Sequence, residues 1–126
     1  MIKKIVIVLL VFCLGNSYAQ NTYYFSSSTG IDSNLGSEAS PFQTISKLNS
    51  LVLVAGDKIL FKKGDTFIGQ ILVSYSGING SPIIYGSYGV GDLPLLTASN
   101  GNNGIADPLS TIKILGKQYL EFHNLN

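Results

Sequence analysis

The second half of the chain consists of short apolar runs separated by turn-forming residues. From Gly56 onward the runs are rich in Ile, Leu, Val, Phe and Tyr, and Gly, Asn, Ser, Asp or Pro stand between most of them. Short runs with this punctuation are typical of β-strands. The pattern predicts strands at residues 58–61, 67–73, 83–85, 93–96, 112–115 and 119–122.

One strand and one short helix are predicted before these runs. The strand is the apolar and aromatic segment 22–25, which a loop rich in Ser, Gly and Asn follows. Ser40 then stands at an N-cap position, Pro41 at the first helical position and Gln43 at the third, which together form a capping box. Apolar residues continue at helical spacing, so the pattern predicts a helix over residues 41–51.

Apolar positions in the strand region recur every 24 residues. A solenoid with about two dozen residues per turn would stack such positions into a continuous core. The recurring positions form two columns, the first with Ile59 before Ile83 and Phe61 before Tyr85, the second with Leu72, Leu96 and Leu120.

A solenoid needs a protective cap at each end. The helix predicted at residues 41–51 can cap the first turn, but no cap is visible after the strand at 119–122. An uncapped last strand would expose an open sheet edge, which promotes aggregation. We therefore expect this sequence to be the N-terminal piece of a longer solenoid.

The N-terminus has the pattern of a secretory signal. Two lysines precede an apolar run at residues 5–14, and Ser17 and Ala19 are small residues at the positions that signal peptidase reads. Cleavage is predicted before Gln20, which would place the protein outside the cell or at its surface. The protein would then contact a membrane only through this export signal.

Two alternatives for this segment are a membrane anchor and a lipid anchor. Ten apolar residues are too few for a span, which needs roughly 20. A lipid anchor on Cys13 would need a small preceding residue, and Phe12 is bulky. The sequence is accordingly divided into a signal peptide at 1–19, an N-terminal strand, loop and capping helix at 20–56, and the first, incomplete solenoid turns at 57–126.

Composition narrows the class of protein. The 126 residues carry eight basic and seven acidic side chains, a net charge of +1, and every basic residue is Lys. A nucleic-acid binder would cluster Lys and Arg, so we predict no nucleic-acid partner. The 45% apolar content excludes a disordered acidic tail. Cys13 leaves with the signal, so burial, a metal or further protein must hold the mature chain.

Several motifs, spread over residues 22–126, carry a family resemblance. They are Tyr23-Tyr24-Phe25-Ser26, Thr29-Gly30, Asp32-x-Asn34-x-Gly36, Ser40-Pro41-Phe42-Gln43-Thr44-Ile45, Ala55-Gly56-Asp57, Ser76-Gly77-x-x-Gly80-Ser81-Pro82-Ile83-Ile84-Tyr85, Gly89, Gly91, Leu93-Pro94-Leu95-Leu96, Tyr119-Leu120-Glu121-Phe122 and Asn124-Leu125. Together they resemble the N-terminal part of secreted right-handed parallel β-helix proteins of the pectin-lyase-like superfamily.

The resemblance implies an all-β fold, a right-handed parallel β-helix that begins with an N-terminal strand and a capping helix. Families of this kind include polysaccharide lyases, glycoside hydrolases, uronate epimerases and non-catalytic surface proteins. Their catalytic residues lie on later turns: the lyases use calcium held by several Asp with an Arg or Lys base, and the hydrolases use clustered Asp. No family catalytic residue is carried by this sequence.

A candidate metal site lies in the first loop. Asp32, Asn34 and Glu38 place oxygen atoms at intervals that resemble a calcium loop. Leu35 and Gly36 break the pattern of a full calcium-binding loop. The alternative is a plain turn, because Asp and Asn also bond to their own backbone.

Candidate sugar-binding residues lie on the last strand and among the tyrosines. Strand alternation places Glu121 and His123 on the face opposite Leu120, so they point outward if Leu120 is in the core. The alternative is a solvated surface pair, since two groups lack the third partner of a metal or catalytic site. Tyr75 and Tyr88 stand beside Gly and Ser and are the tyrosines we expect to be exposed, where they suit sugar rings or ordinary packing.

Three aspartates, Asp57, Asp65 and Asp92, each follow a Gly. Paired carboxylates can act as acid and base on a glycosidic bond. Turn residues are the simpler interpretation, and we predict that role for all three.

These observations predict an exported bacterial protein whose whole chain acts on extracellular polysaccharide as a lyase or glycoside hydrolase. The present segment is then structural and non-catalytic. The alternative is a non-catalytic β-helix that binds carbohydrate or serves surface adhesion. A third interpretation is a small, complete β-sandwich that binds a ligand.

Overall fold

A computed structural model describes residues 19–98 and 111–126. The predicted signal peptide lies outside the described residues except for Ala19. The elements in chain order are β1 (Thr22–Phe25), α1 (Ile45–Ser50), β2 (Lys58–Lys62), β3 (Thr66–Ile68), β4 (Ile71–Val73), β5 (Ile83–Tyr88), β6 (Leu95–Thr97), β7 (Ile112–Ile114) and β8 (Leu120–Phe122).

The strands form three sheets, and every strand pair within them is parallel. Sheet 1 has the order β1-β2-β5-β8, sheet 2 pairs β3 with β6, and sheet 3 pairs β4 with β7. The chain visits sheets 1, 2 and 3 in turn and then returns to sheet 1; we call one such circuit a rung. This path gives the nearly all-β, parallel β-helix-like fold that the sequence predicts.

Rungs stack in a register that differs from the predicted repeat. Lys58 lies opposite Ile84, an offset of 26 residues, and Thr66 lies opposite Leu95, an offset of 29. The 24-residue columns are therefore wrong, and their three leucines fall in three different sheets. The reason is that the corners between strands differ in length, so no single period describes all three sheets.

The predicted strand at 67–73 is two strands with a bend between them. Gly69 has a φ of 133°, a conformation that L side chains rarely adopt. The chain turns there from sheet 2 into sheet 3. The apolar run continues across the bend because both strands contribute buried residues, Phe67 on one side and Ile71 on the other.

The helix begins four residues later than predicted. Thr44 is the N-cap, and its side chain accepts a hydrogen bond from the Lys47 amide at 3.1 Å. Phe42 is extended instead, because it forms a parallel bridge with Phe25 and its amide donates to the Tyr24 carbonyl. Tertiary pairing thus overrides the local capping signal at Ser40.

Inward-facing aromatic and aliphatic side chains from all three sheets form one core. Phe25 contacts Phe61 with ring centroids 5.6 Å apart, and Phe61 contacts Phe67 at 5.0 Å. Burial raises the pKa of Tyr85 to about 12, so its hydroxyl stays protonated within the core. Among the described residues, no helix is both long and apolar enough to cross a bilayer.

Candidate functional site

Strand alternation divides sheet 1 into a core face and an outer face. Phe25, Ile59 and Phe61 point inward and are fully buried. The alternate positions point outward and form what we call the outer face of sheet 1. It consists of Thr22, Tyr24, Lys58, Leu60, Lys62, Ile84, Gly86, Tyr88 and Glu121.

Two tyrosines pack together on this outer face. The rings of Tyr24 and Tyr88, which we call the tyrosine pair, meet edge to face with centroids 5.0 Å apart. Gly86 lies opposite Leu60 on the next strand, and the Leu60 side chain occupies the space beside it, since a Cβ added at Gly86 would lie 3.4 Å from Leu60 Cδ2. The arrangement is a half-buried aromatic pair beside the Leu60 side chain.

The surroundings of Tyr88 keep its hydroxyl protonated. Burial raises the pKa of this group, and the negative charges of Asp65 and Glu38 and the neighbouring Tyr24 raise it further. A neutral hydroxyl can donate a hydrogen bond as well as accept one. Half-exposed, the Tyr88 side chain offers both an apolar ring and a polar group.

Tyr24 was not among the residues selected from the sequence. The signal that identifies it is alternation: Phe25 is fully buried, so its neighbour in β1 must face outward. Its partnership with Tyr88 depends on the register of strands that are far apart in sequence, and no local pattern gives that register.

Glu121 and His123 face outward, as alternation predicts. Leu120 lies opposite the buried Ile83, and the Phe122 ring stacks on Tyr85 at 5.0 Å, so both point inward. The Glu121 carboxylate lies 2.9 Å from His123 Nε2, and both side chains are about half exposed. A role for this pair in sugar binding stays a prediction.

Tyr75 lies elsewhere. It is half-buried in the corner between β4 and β5 and packs against the core cluster. It is therefore separated in the fold from the outer face of sheet 1, and its role in sugar binding also stays a prediction.

The three candidate calcium ligands lie in different local environments. The Asp32 carboxylate accepts hydrogen bonds from the amides of Gln43 and Thr44 at 2.8 and 2.9 Å, and from the Thr44 hydroxyl at 2.5 Å. Asn34 donates its side-chain amide to the Pro41 carbonyl at 2.9 Å. Burial opposes ionisation of Asp32, yet these bonds and the charge of nearby Lys47 together lower its pKa.

Glu38 lies close enough to Tyr88 to influence its pKa. Within the described residues, no group of three or more His, Cys, Asp or Glu side chains could hold a metal ion. The hydrogen bonds of Asp32 instead connect the first loop to the beginning of α1. The calcium site stays a prediction.

Two of the three aspartates accept hydrogen bonds that join distant segments of the chain, a role that the prediction of simple turn residues does not include. Asp57 is fully buried and accepts from the amides of Asn21 and Val54 at 2.8 and 2.9 Å. Asp65 accepts from the Ser26 hydroxyl at 2.8 Å and the Ser28 amide at 3.2 Å. Neither carboxylate faces solvent as an acid–base group would.

Comparisons with known proteins agree with this architecture. No family model matches the chain, and no curated protein sequence matches it. The native structure of the GH136 lacto-N-biosidase from Eubacterium ramulus matches with a TM-score of 0.74 and 30% identity over 83% of this chain. A rhamnogalacturonan lyase matches with a TM-score of 0.55 and 23% identity over 83% of this chain.

The chain spans only 20% of the biosidase and 28% of the lyase. Because the lyase is only 23% identical in sequence, its similarity supports the fold alone. Both similarities are consistent with a parallel β-helix fold.

Proposed function

We propose that this chain forms the first rungs of a right-handed parallel β-helix in an exported protein that acts on polysaccharide as a glycoside hydrolase or lyase. In this proposal the segment is structural and non-catalytic. The observation that carries it is the ordered passage through three parallel sheets, which matches a glycoside hydrolase structure over most of the chain.

The proposed contribution of this segment is one end of a sugar-binding surface on the outer face of sheet 1. Aromatic rings pack well against the apolar faces of sugar rings, and the tyrosine pair offers such a surface with a neutral hydroxyl beside it. Leu60, which lies half-buried opposite Tyr24 on the next strand, adds apolar surface beside the tyrosine pair. Glu121 and His123 extend the same face with polar groups.

The ionisable groups on this face support a non-catalytic role. Glycoside hydrolysis ordinarily needs two carboxyl groups at a defined separation. In the described part of the face, Glu121 is the carboxylate on a sheet 1 strand, and it is bonded to His123. Catalytic residues are therefore expected on further rungs beyond Asn126.

The inward side chains of the last rung support a further rung. Phe122 points toward the core yet is 37% exposed, and Leu120 is only half-buried. A following rung would cover both, in the way that Phe122 covers Tyr85.

Binding of the full-length protein to an array of plant and host glycans tests the sugar surface. Tyr88→Ala should weaken binding about tenfold or more, since an aromatic contact contributes up to about 1.5 kcal/mol beyond the area it buries. Tyr88→Phe keeps the ring and is the matched control, which should bind nearly as well. Equal binding by Tyr88→Ala and wild type would exclude the tyrosine pair from the surface.

Mass spectrometry of the native protein tests the two other parts of the proposal, which are export and the longer β-helix. We expect an N-terminus at Gln20 in the extracellular or surface fraction and a mass far above 13.5 kDa. A mature protein of smaller mass that still binds glycans would exclude the longer β-helix and favour a small binding module.

A further inference from the structure

A cavity on the outer face of sheet 3 combines apolar surface with two positive charges. Ile71 and Val73 of β4 are buried, so Leu72 between them points outward, opposite Lys113 of β7. The cavity has a volume of about 290 Å³. Its lining residues are Leu72, Val73, Ser74, Lys113, Leu115 and Lys117.

The charge of this cavity is uncompensated in the described part of the chain. Neither the Lys113 nor the Lys117 ammonium group takes part in an ion pair or hydrogen bond there; the ion pair that the described residues do form joins His123 to Glu121. No carboxylate is among the lining residues. Two ammonium groups beside one cavity favour an anionic occupant.

The remaining lining favours an occupant with an apolar part. Leu72 is 45% exposed and Leu115 is 69% exposed, although both are large apolar side chains. The alkyl stems of the two lysines add apolar surface while their charged ends reach solvent. The volume is near the lower limit for small-molecule sites, so the occupant is small.

We propose that this cavity binds a small amphiphilic carboxylate. The carboxylate group lies between the ammonium groups of Lys113 and Lys117, and a short alkyl chain packs against Leu72 and Leu115. The site lies on sheet 3, whereas the proposed sugar surface lies on sheet 1, so neither proposal depends on the other.

Calorimetric titration of the full-length protein with hexanoate tests the proposal against two comparators. Acetate has the charge without the chain, and hexan-1-ol has the chain without the charge. We expect hexanoate to bind about tenfold more tightly than acetate, because partial burial of four further methylenes contributes about 1.4 kcal/mol, and a few-fold more tightly than hexan-1-ol, because a charge contact open to solvent contributes less. Hexanoate binding no tighter than acetate or hexan-1-ol, or absent at millimolar concentration, would overturn the proposal.

Three variants in the cavity and one control variant assign the binding to this cavity. Lys113→Gln and Lys117→Gln should each weaken hexanoate binding several-fold, whereas Lys63→Gln, which removes the same charge from the turn after β2, should leave it unchanged. Leu115→Ser should reduce the preference for hexanoate over acetate, and this exposed position carries little risk of unfolding. An equal loss in Lys63→Gln would show a general charge effect and would reject a site at sheet 3.

Discussion

The inner and the last strands of sheet 1 place similar side chains at the same inward position but bury them to different extents. Ile59 and Phe61 of β2 are fully buried, with β1 on one side and β5 on the other. Phe122 of β8 points inward in the same way and is 37% exposed, because only β5 pairs with its strand. Burial in a stacked fold thus depends on having neighbours on both sides, and not on side-chain direction alone.

The largest effect expected from this comparison is at Phe61. Phe61→Ala removes a ring that contacts both Phe25 and Phe67 and leaves a cavity in the core. We expect the free energy of unfolding to fall by about 3–5 kcal/mol. Urea denaturation followed by circular dichroism measures this change, and a loss below 1 kcal/mol would mean that the core repacks easily at this rung.

The second largest loss of stability is expected at a buried polar contact of the early rungs. Asp65→Asn removes a carboxylate that accepts from Ser26 and Ser28, and we expect a loss of about 1–3 kcal/mol at neutral pH. Burial opposes ionisation of Asp65, but these hydrogen bonds and the charge of Lys62 outweigh it and lower its pKa.

The contribution of Asp65 to stability should depend on pH. Folding favours the ionised form of Asp65, so its contribution is present above the unfolded pKa of about 3.9 and is lost as the pH falls through the lower folded value. The stability difference between wild type and Asp65→Asn should therefore shrink between about pH 5 and pH 2. Melting temperatures across this range measure it, and a constant difference would contradict the assignment.

Phe122 should give a smaller loss than Phe61. The ring stacks on Tyr85 but is partly exposed, so Phe122→Ala is expected to cost only about 1–2 kcal/mol. Urea denaturation of the full-length protein provides the measurement. A cost equal to that of Phe61→Ala would show that further protein covers this ring, which would support the longer β-helix.

The smallest effect is expected at the exposed pair on the last strand. The Glu121–His123 contact is open to solvent, so His123→Ala should change the free energy of unfolding by less than about 0.5 kcal/mol. Thermal unfolding at pH 5 and pH 8 measures it. A loss as large as that of Asp65→Asn would mean that the pair is covered in the folded protein.

Local sequence signals account for much of this fold. The alternation in the segment 119–122 correctly places Leu120 inward and Glu121 outward, because one face of a strand must be apolar when it covers a core. The runs of β-branched and aromatic residues locate most strand ends to within one or two residues, although β5 extends three residues beyond the predicted end and the run at 67–73 contains two strands. Strand positions and side-chain directions depend on residues adjacent in the chain, so they can be predicted from the local sequence.

The features that were missed depend on neighbours across the stack. The helix begins at Ile45 because Phe42 pairs with Phe25, 17 positions earlier in the chain. The rung offsets differ between sheets because the corners differ in length. The partnership of Tyr24 with Tyr88 follows from that register, so neither the offset nor the outer aromatic surface could be found from local pattern alone.

The parallel order β1-β2-β5-β8 also determines how the molecule resists a pulling force. Backbone hydrogen bonds in sheet 1 run from each strand to the next, along the direction in which the rungs stack. Tension along that direction loads one ladder after another, so the strands should peel away singly at low force. Tension along the strands loads all bonds of a ladder together, and the same sheet should then be mechanically strong.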